Sequence, residues 1–551
     1  MRPPTRSDHT APTDDRGTAD PAASAWTPVV RPATRWLWLV GTALAVLAVH
    51  SNWHVAIAAW LFPIFLMRYA RLRPPRVGIP RVGFAIAVST IAWLGSASLL
   101  FAVNTLILPV FAALTVLQAL AFAADRLVAT RLEARSGLLS TLVFPVSLVT
   151  AEYLFTLLLR FGDYGALGFT QHANAPLIQL ASVTGVYGVS FVVAWFASVV
   201  TWAWGAGFRW PVIRRNVLVY AGVLAMVLAA GGIRLAFLAP TTDTVRIAGI
   251  SASADAMRAS SDAQERAGIP YGDAADVADA DQGEASAAFA PVTDELVAST
   301  QREAAAGARV IQWPETQARV LESDKDALVD EVADIARDEE TYVNLAFALY
   351  GTEEPRLRNV AVLITPDGET AWTYDKAQPT PMEALRGIEP GDGDVPVTDS
   401  PIGRLATVIC YDADFPDLMR QAAGKDAALV LVPANDWLGY ENLHAERATL
   451  RSVEYGYAQV RQSANGLSTT IDHQGRVLAM SDHFTTDRQT MIAEVPVQPR
   501  TATVYSAIGD VFAWLCLGAA AALAALAGHQ ARRGRREPDG GGASRMPRIG
   551  R

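Results

Sequence analysis

The spacing of long apolar runs restricts this chain more than any other feature. Such runs cover about residues 36–50, 53–67, 82–103, 105–124, 138–158, 180–206 and 216–238, and one more covers about 505–528. A helix needs roughly 20 mostly apolar residues to cross a bilayer, and most of these runs approach that length. Residues 241–500 differ. There, short β-branched stretches such as Ala428-Leu-Val-Leu-Val-Pro433 alternate with helical segments and Gly/Asp turns. The pattern predicts seven spans, an α/β domain and one closing span. Hydrophobic residues make up 51% of the chain and charged residues only 18%, against about a quarter charged in an ordinary soluble domain. The formal net charge of -9 argues against a nucleic-acid partner. Two cysteines, Cys410 and Cys516, exclude a disulfide framework and a Cys-rich metal site.

Arginine placement fixes the expected orientation, because short cytoplasmic loops collect Lys and Arg. The first two runs are short, and the break at His50-Ser51-Asn52 favours two spans over one. Arg31 and Arg35 precede the first run, and Arg68, Arg71, Arg73, Arg76 and Arg81 follow the second. Arg126, Arg131 and Arg135 follow the fourth, Arg209, Arg214 and Arg215 the sixth, and Arg532, Arg533, Arg535 and Arg536 the last. The alternate connections, His50–Trp53, around Asn104, and 159–179, hold Arg160 alone. Eight spans with both termini cytoplasmic satisfy every loop and place the α/β domain on the extracytoplasmic side. The expected organisation is a disordered cytoplasmic tail over 1–34, a seven-span membrane domain over 35–240, and an extracytoplasmic catalytic domain over 241–500. An eighth transmembrane helix over 501–530 and a basic cytoplasmic tail over 531–551 complete it.

Three segments of the α/β region stand out. Val310-Ile-Gln-Trp-Pro-Glu315-Thr316 is an apolar strand ending in an acid. Tyr374-Asp-Lys376 leads through Ala-Gln-Pro-Thr-Pro-Met to Glu383. Ala406-Thr-Val-Ile-Cys410-Tyr-Asp412 is an apolar strand ending in a cysteine. Reactive side chains of α/β proteins gather at strand C-termini. Taken singly, a glutamate is usually solvated, a lysine lies at the surface and a cysteine belongs to the core. Together they make chemistry. A thiol near its free pKa is mostly protonated and needs a base or a cation beside it. Glu315 would take the proton, and the Lys376 ammonium would stabilise the thiolate and a tetrahedral oxyanion.

Glu, Lys and Cys in this order, each after a strand, resemble the nitrilase (carbon–nitrogen hydrolase) superfamily. Within the membrane frame, the chain is similar to the apolipoprotein N-acyltransferase family over about 36–528. The motifs that carry the resemblance are Trp-Pro-Glu-Thr at 313–316, Tyr-Asp-Lys at 374–376, Ile-Cys-Tyr-Asp at 409–412 and Asn435-Asp436-Trp437. The stretch from His444 through Arg447, Arg451, Glu454 and Arg461 to Asp472-His473-Gln474-Gly475 looks like the family's closing helix and strand pair. The resemblance implies an eight-span α-helical membrane domain with an αββα sandwich. It also implies ping-pong transfer of a fatty acyl group from a phospholipid, through a Cys410 thioester, to the α-amine of a diacylglyceryl-cysteine at a lipoprotein N-terminus. Glu315 would be base and then acid, Lys376 the oxyanion partner, and a backbone N–H near Tyr411 its helper. Glu383 resembles the glutamate that orients the lysine, although Pro381-Met382-Glu383 is one residue shorter than the family's Pro-Phe-Gly-Glu. Asp412 stands where the family has Glu. Trp313, Asn435 and Trp437 are expected on the substrate side. No metal or soluble cofactor is implied.

Some residues depart from that pattern. The first strand, Val245 to Ser253, lacks the Gln and Asn or Asp expected near its end. The acidic, Ala-rich stretch at 271–288 reads as a flexible arm or loose helix with a solvated face. The loop after Lys376 is less apolar than the family norm. Glu152 lies inside the fifth run, where an ionisable group is costly, with Arg160 as a candidate partner. His444 reads as a helix-surface residue, and Cys516 as a packing or lipid-facing one. Two other readings stay open on the sequence. One is a membrane-tethered amidase or nitrilase-type hydrolase using the same triad. The other is a non-catalytic scaffold that binds lipoproteins.

Overall fold

The computed structural model describes residues 34–49, 55–99, 107–133, 136–159, 161–270, 272–486 and 489–534. The expected tails fall almost wholly outside this set, as do the His50–Trp53 turn, the connection around Asn104, and Arg160. Among the described residues, six helices are long and apolar enough to cross a bilayer: Pro75–Ser96, Ile107–Leu132, Gly137–Leu159, Val186–Gly205, Trp210–Phe237 and Val511–His529. The first two runs form shorter helices, Arg35–Val49 and Ala56–Arg71, of 15 and 16 residues. At 1.5 Å per residue each extends roughly 22–24 Å, less than the ~30 Å hydrocarbon core. They pack side by side. A Cβ on Gly41 would lie 2.6 Å from the Leu66 side chain, so only glycine allows this approach.

The sixth run is interrupted. Two short turns, Ala175–Ile178 and Ala181–Thr184, lead to Gly185, whose φ of +66° opens the helix Val186–Gly205. The Tyr505 ring fills the space that a side chain on Gly185 would need. Basic connections gather at one end of the helix group. There Arg71 donates to both Asp125 oxygens (2.8 and 2.6 Å) and to Glu133 (2.7 Å), and Arg126 donates to the carbonyls of Ala70 and Arg73. The α/β domain docks on the other end, where the Trp437 indole N–H donates to the Ala97 carbonyl at 2.8 Å.

The α/β domain holds thirteen strands among the described residues. They are β1 (Thr244–Ser251), β2 (Val310–Gln312), β3 (Ala318–Leu321), β4 (Tyr342–Tyr350), β5 (Leu357–Ile364), β6 (Thr370–Asp375), β7 (Val397–Thr398), β8 (Leu405–Thr407), β9 (Leu429–Ala434), β10 (Ala458–Ser463), β11 (Leu467–Ile471), β12 (Val477–Asp482) and β13 (Gln489–Pro496). One sheet runs β13-β1-β2-β4-β5-β6 with β3 also on β4, and the other runs β12-β11-β10-β9-β8-β7. The sheets face each other through one apolar layer, with Ile247, Ala361 and Leu363 from the first and Ala406, Val430 and Val460 from the second. Helices Gln282–Ala305 and Glu322–Asp338 cover the outer face of the first sheet through Val292, Leu296, Val332 and Ile335. Helices Pro416–Gly424 and Glu441–Tyr455 belong to the second sheet's side. Every residue of β9 is buried, as expected for a parallel strand covered on both faces.

The acidic stretch differs from expectation. Helix Ala274–Asp279 and the start of helix Gln282–Ala305 run through it, and Val277, Ala285 and Phe289 join a small core with Tyr350 and Leu357. The acids face water while small apolar residues, at helical spacing, are buried. Cys516 is buried among packed helices. Glu152 accepts the Leu167 backbone N–H at 2.9 Å.

Candidate active site

Three loops converge where the sandwich meets the membrane helices. Glu315 follows β2 across Trp313-Pro314, and its backbone N–H donates to the Ala434 carbonyl at the end of β9, tying the two sheets together. Lys376 follows β6, and its N–H donates to the Asn359 carbonyl on β5. Cys410 follows β8 and opens a short 3-10 turn, Cys410–Asp414. Its φ of +48° is in the left-handed region, uncommon for a residue with a side chain. Such geometry persists where surrounding contacts over-determine it, commonly at reactive positions.

Asp412 supplies those contacts. Its carboxylate accepts the Tyr374 hydroxyl (2.8 Å) and the backbone N–H groups of Ile409 (3.0 Å), Gln378 (2.7 Å) and Ala377 (3.4 Å). It therefore clamps the Cys410 turn to the loop carrying Lys376 and makes no hydrogen bond to the lysine itself. Burial pushes its pKa up to about 6, against the pull of Lys376.

The three residues singled out from the sequence meet. Lys376 Nζ donates to Glu315 Oε1 at 2.7 Å and to Glu383 at 2.9 and 2.7 Å. Glu383 is held in place by a capping box with Thr380 on the turn Pro381–Leu385. Asn359, from the middle of β5, donates to both Glu315 Oε1 (2.7 Å) and Glu383 Oε1 (2.9 Å). The Cys410 thiol lies close enough to Glu315 and Lys376 for their charges to act on it. Burial would lower the Lys376 pKa, but the two carboxylates outweigh it and hold the ammonium well above its usual value. Burial, reinforced by Glu383, raises Glu315 in spite of Lys376. Burial is opposed at Glu383 by Lys376, which leaves that carboxyl below its usual value. Burial and the Glu315 charge raise the Cys410 thiol well above its free value, against Lys376 and Arg461. The resting sulfur is thus protonated, with a carboxylate beside it to receive the proton.

Arg461 was not marked as a site residue by its motif, yet its Nη2 lies 4.0 Å from the Cys410 sulfur. It also donates to Asp436 at 2.8 and 3.0 Å. Asp436 in turn faces His444 Nδ1 at 2.6 Å, while His444 Nε2 lies 3.0 Å from Asp414. His444 is only 6% exposed, so the helix-surface expectation is wrong. It sits where the helix Glu441–Tyr455 presses onto the Cys410 turn. Burial and Arg461, whose Nη2 lies 2.9 Å from Nδ1, would lower its pKa, but Asp414 and Asp436 outweigh them and raise it. Cys410, Asp436 and His444 bring three potential metal-ligand atoms within 4.8 Å of one another. The Arg461 guanidinium occupies that cluster, and a fixed cation there disfavours a metal ion.

Asn359 follows Arg358 in β5, and Arg461 stands among Gln459, Gln462 and Ser463 in β10, so neither stood out as a lone polar residue in its strand. The remaining expected residues divide. Tyr411 turns its ring onto Phe161, Tyr164 and Phe415, toward the membrane helices. Asn435 donates to Thr316 Oγ1 and accepts from Asn465 beside the site. Trp437 stacks on Tyr440 with centroids 4.4 Å apart at the domain junction. Trp313 is different: it is wholly buried and donates to Thr300 Oγ1 at 2.9 Å. Its place is the core beneath the outer helices, because the chain turns after β2, and the Glu315 N–H bond to Ala434 aims the glutamate at the site while Trp313 stays in the core layer.

Comparison with known proteins agrees with this architecture. Residues 40–199 match the apolipoprotein N-acyltransferase N-terminal domain, and residues 280–505 match the carbon-nitrogen hydrolase domain. The apolipoprotein N-acyltransferase of Geobacter metallireducens is 26% identical over 422 residues, covering 71% of this chain and 75% of that one. The enzyme of the same name from Bradyrhizobium diazoefficiens is 27% identical over 441 residues, covering 75% and 77%. Among solved structures, an amidase from Nesterenkonia sp. aligns with 47% of this chain and 94% of its own at 20% identity and a TM-score of 0.36. With both domain types in one chain, and relatives of that name matched over most of its length, the protein belongs to the apolipoprotein N-acyltransferase family of the carbon–nitrogen hydrolase superfamily.

Proposed function

We propose that this protein N-acylates lipoproteins, moving a fatty acyl group from a phospholipid through a thioester on Cys410. The observation that carries the reading is a buried thiol beside a carboxylate, with two cations close to it, at the junction of sandwich and membrane helices. Cys410 Sγ attacks the ester carbonyl as Glu315 takes its proton. Lys376, helped by a backbone N–H near Tyr411, stabilises the tetrahedral oxyanion. The intermediate collapses to the thioester, and Glu315 returns the proton to the departing lysophospholipid oxygen. The α-amine of a diacylglyceryl-cysteine then attacks the thioester carbonyl. Glu315 accepts the amine proton and passes it to the leaving sulfur, and an amide remains.

An apolar cavity of about 120 Å³ between the membrane helices supports a lipid donor. Phe111, Leu114, Phe122, Phe144 and Leu148 line it, and it reaches Tyr164 and Leu443, which share one apolar cluster with Tyr411. Holding acyl chains in hydrocarbon beside the sulfur favours transfer by proximity. We read the two short helices as spans as well, giving eight, with both termini cytoplasmic and the sandwich outside. The gathering of Arg71, Arg73 and Arg126 at the end away from the sandwich supports that orientation.

The test incubates membranes carrying the protein with phospholipid and a diacylated lipopeptide. A mass gain of one fatty acyl group on the lipopeptide is expected, and none with Cys410→Ala. Absence of that gain with the unmutated protein overturns the reading. Thioester formation followed only by hydrolysis overturns it in favour of an amidase-like hydrolase.

A further inference from the structure

A second cavity borders the site within the α/β domain. It holds about 220 Å³, and every residue lining it, from Met257 to Asn465, belongs to the α/β domain. It shares no lining residue with the apolar cavity. Thr316, Glu383 and Asn435 bring it against the reacting groups.

Gln317 marks what this cavity binds. The residue is 6% exposed and lines the cavity. Its Oε1 accepts the Ala252 backbone N–H at 2.8 Å, just past the end of β1. A backbone N–H only donates, so this bond fixes which end of the amide is which. Nε2 is therefore the free end, and it finds no acceptor among the described residues. A buried amide donor without a partner is costly, and native structures seldom leave one. Its neighbours are amides too: Asn465 donates to Asn435, which donates to Thr316. The guanidiniums of Arg319 and Arg386 line the cavity along with the carboxylates of Asp273 and Glu383.

We propose that this cavity receives the polypeptide that follows the acylated cysteine of the acceptor, with Gln317 Nε2 donating to one of its backbone carbonyl oxygens. The proposal rests on the acyltransferase reading and names where the acceptor's peptide lies. The polar lining excludes an acyl chain. Balanced charges give no net field for a phosphate headgroup, whereas a neutral peptide presents the carbonyl that Gln317 needs. Lipid in the apolar cavity and peptide in this one would leave the α-amine between them, at Cys410.

The experiment uses the full-length protein in membranes, vesicles of a single phosphatidylethanolamine, and two acceptors. One is diacylglyceryl-cysteine methylamide, and the other carries a four-residue Ser/Gly peptide on the same cysteine. The unmutated protein should show a KM for the peptide-bearing acceptor at least roughly fivefold lower, the scale of one buried hydrogen bond. Gln317→Glu keeps the acceptor for Ala252 but removes the donor, and should erase that preference by raising this KM about fivefold. The methylamide KM and thioester formation without acceptor should stay within about twofold. Gln317→Met, which removes the donor without adding charge, should behave likewise. Equal KM values for the two acceptors with the unmutated protein overturn the proposal. Slower thioester formation in both variants also overturns it, and would place a lipid headgroup or a structural role there. Failure of the unmutated protein to form a thioester at all overturns the acyltransferase reading itself, a separately visible result.

Discussion

Arg461 Nη2 lies 4.0 Å from the sulfur of Cys410, while the same nitrogen is held by both oxygens of Asp436. Cys410 is thus flanked by two cations on separate elements, Lys376 after β6 and Arg461 within β10. Both act to lower a thiol pKa that burial raises. Replacing Arg461 with Met should move the alkylation of Cys410 by iodoacetamide to higher pH. It should also slow thioester formation about tenfold, the equivalent of one pKa unit. Arg461→Lys should restore part of the loss. An alkylation profile unmoved by Arg461→Met would remove the arginine from this role.

Glu383 shares the Lys376 ammonium with Glu315. In Glu383→Gln the lysine keeps Glu315 as a partner and stays charged at neutral pH, since its pKa only falls back toward the usual value. The expected loss is in kcat, about 10- to 100-fold from misplacement of the ammonium, with the acid limb of the pH profile moved to lower pH because Glu383 no longer raises Glu315. An unchanged maximal rate would contradict the assignment.

Asp412→Asn tests the clamp on the Cys410 turn. The carboxylate meets only donors, so an amide places an N–H against an N–H or against Tyr374. A loss of about 1–3 kcal/mol in stability is expected, together with loss of thioester formation. Thermal unfolding in detergent, read alongside acylation, would show both. A variant of full stability and activity would mean the turn holds without it.

Asp163, just beyond the helix Gly137–Leu159, joins the two domains. It accepts from Arg447 at 2.5 Å and is ion-paired with Arg451 at 2.7 Å, all three buried. Asp163→Asn leaves two buried guanidiniums short of a counter-charge. Breaking such a group costs about 3–5 kcal/mol. A large fall in the unfolding midpoint is expected, and an unchanged midpoint would show that Asp414 and Glu454 suffice.

The His444 cluster sets a pH window. Asp414 and Asp436 lie below their usual values, so their contribution is present above about pH 4 and is lost only as pH falls through the lower folded values. His444 lies above its usual value, so its contribution is full below about pH 6.5 and is lost as pH rises through the folded value. Stability from this cluster should therefore be greatest between about pH 4 and 6.5. His444→Gln should flatten the decline above pH 6.5 in thermal unfolding, and an unaltered decline would assign it to other groups.

Apolar run length, alternating loop charge and three strand-end motifs made the membrane frame, the α/β domain and the meeting of Glu315, Lys376 and Cys410 legible from the chain alone. These are local quantities, since periodicity and strand ends are written over a few consecutive residues. What surrounds the sulfur was decided by tertiary structure. Asn359, Asp436, His444 and Arg461 come from four separate places in the chain, and no local pattern says that they meet. Only when two sheets close face to face, and the helix Glu441–Tyr455 folds over the Cys410 turn, do their charges lose water and find one another. Trp313 shows the converse: its motif placed it beside the reactive glutamate, but the chain turns between them, and the ring stays in the core while the glutamate enters the site.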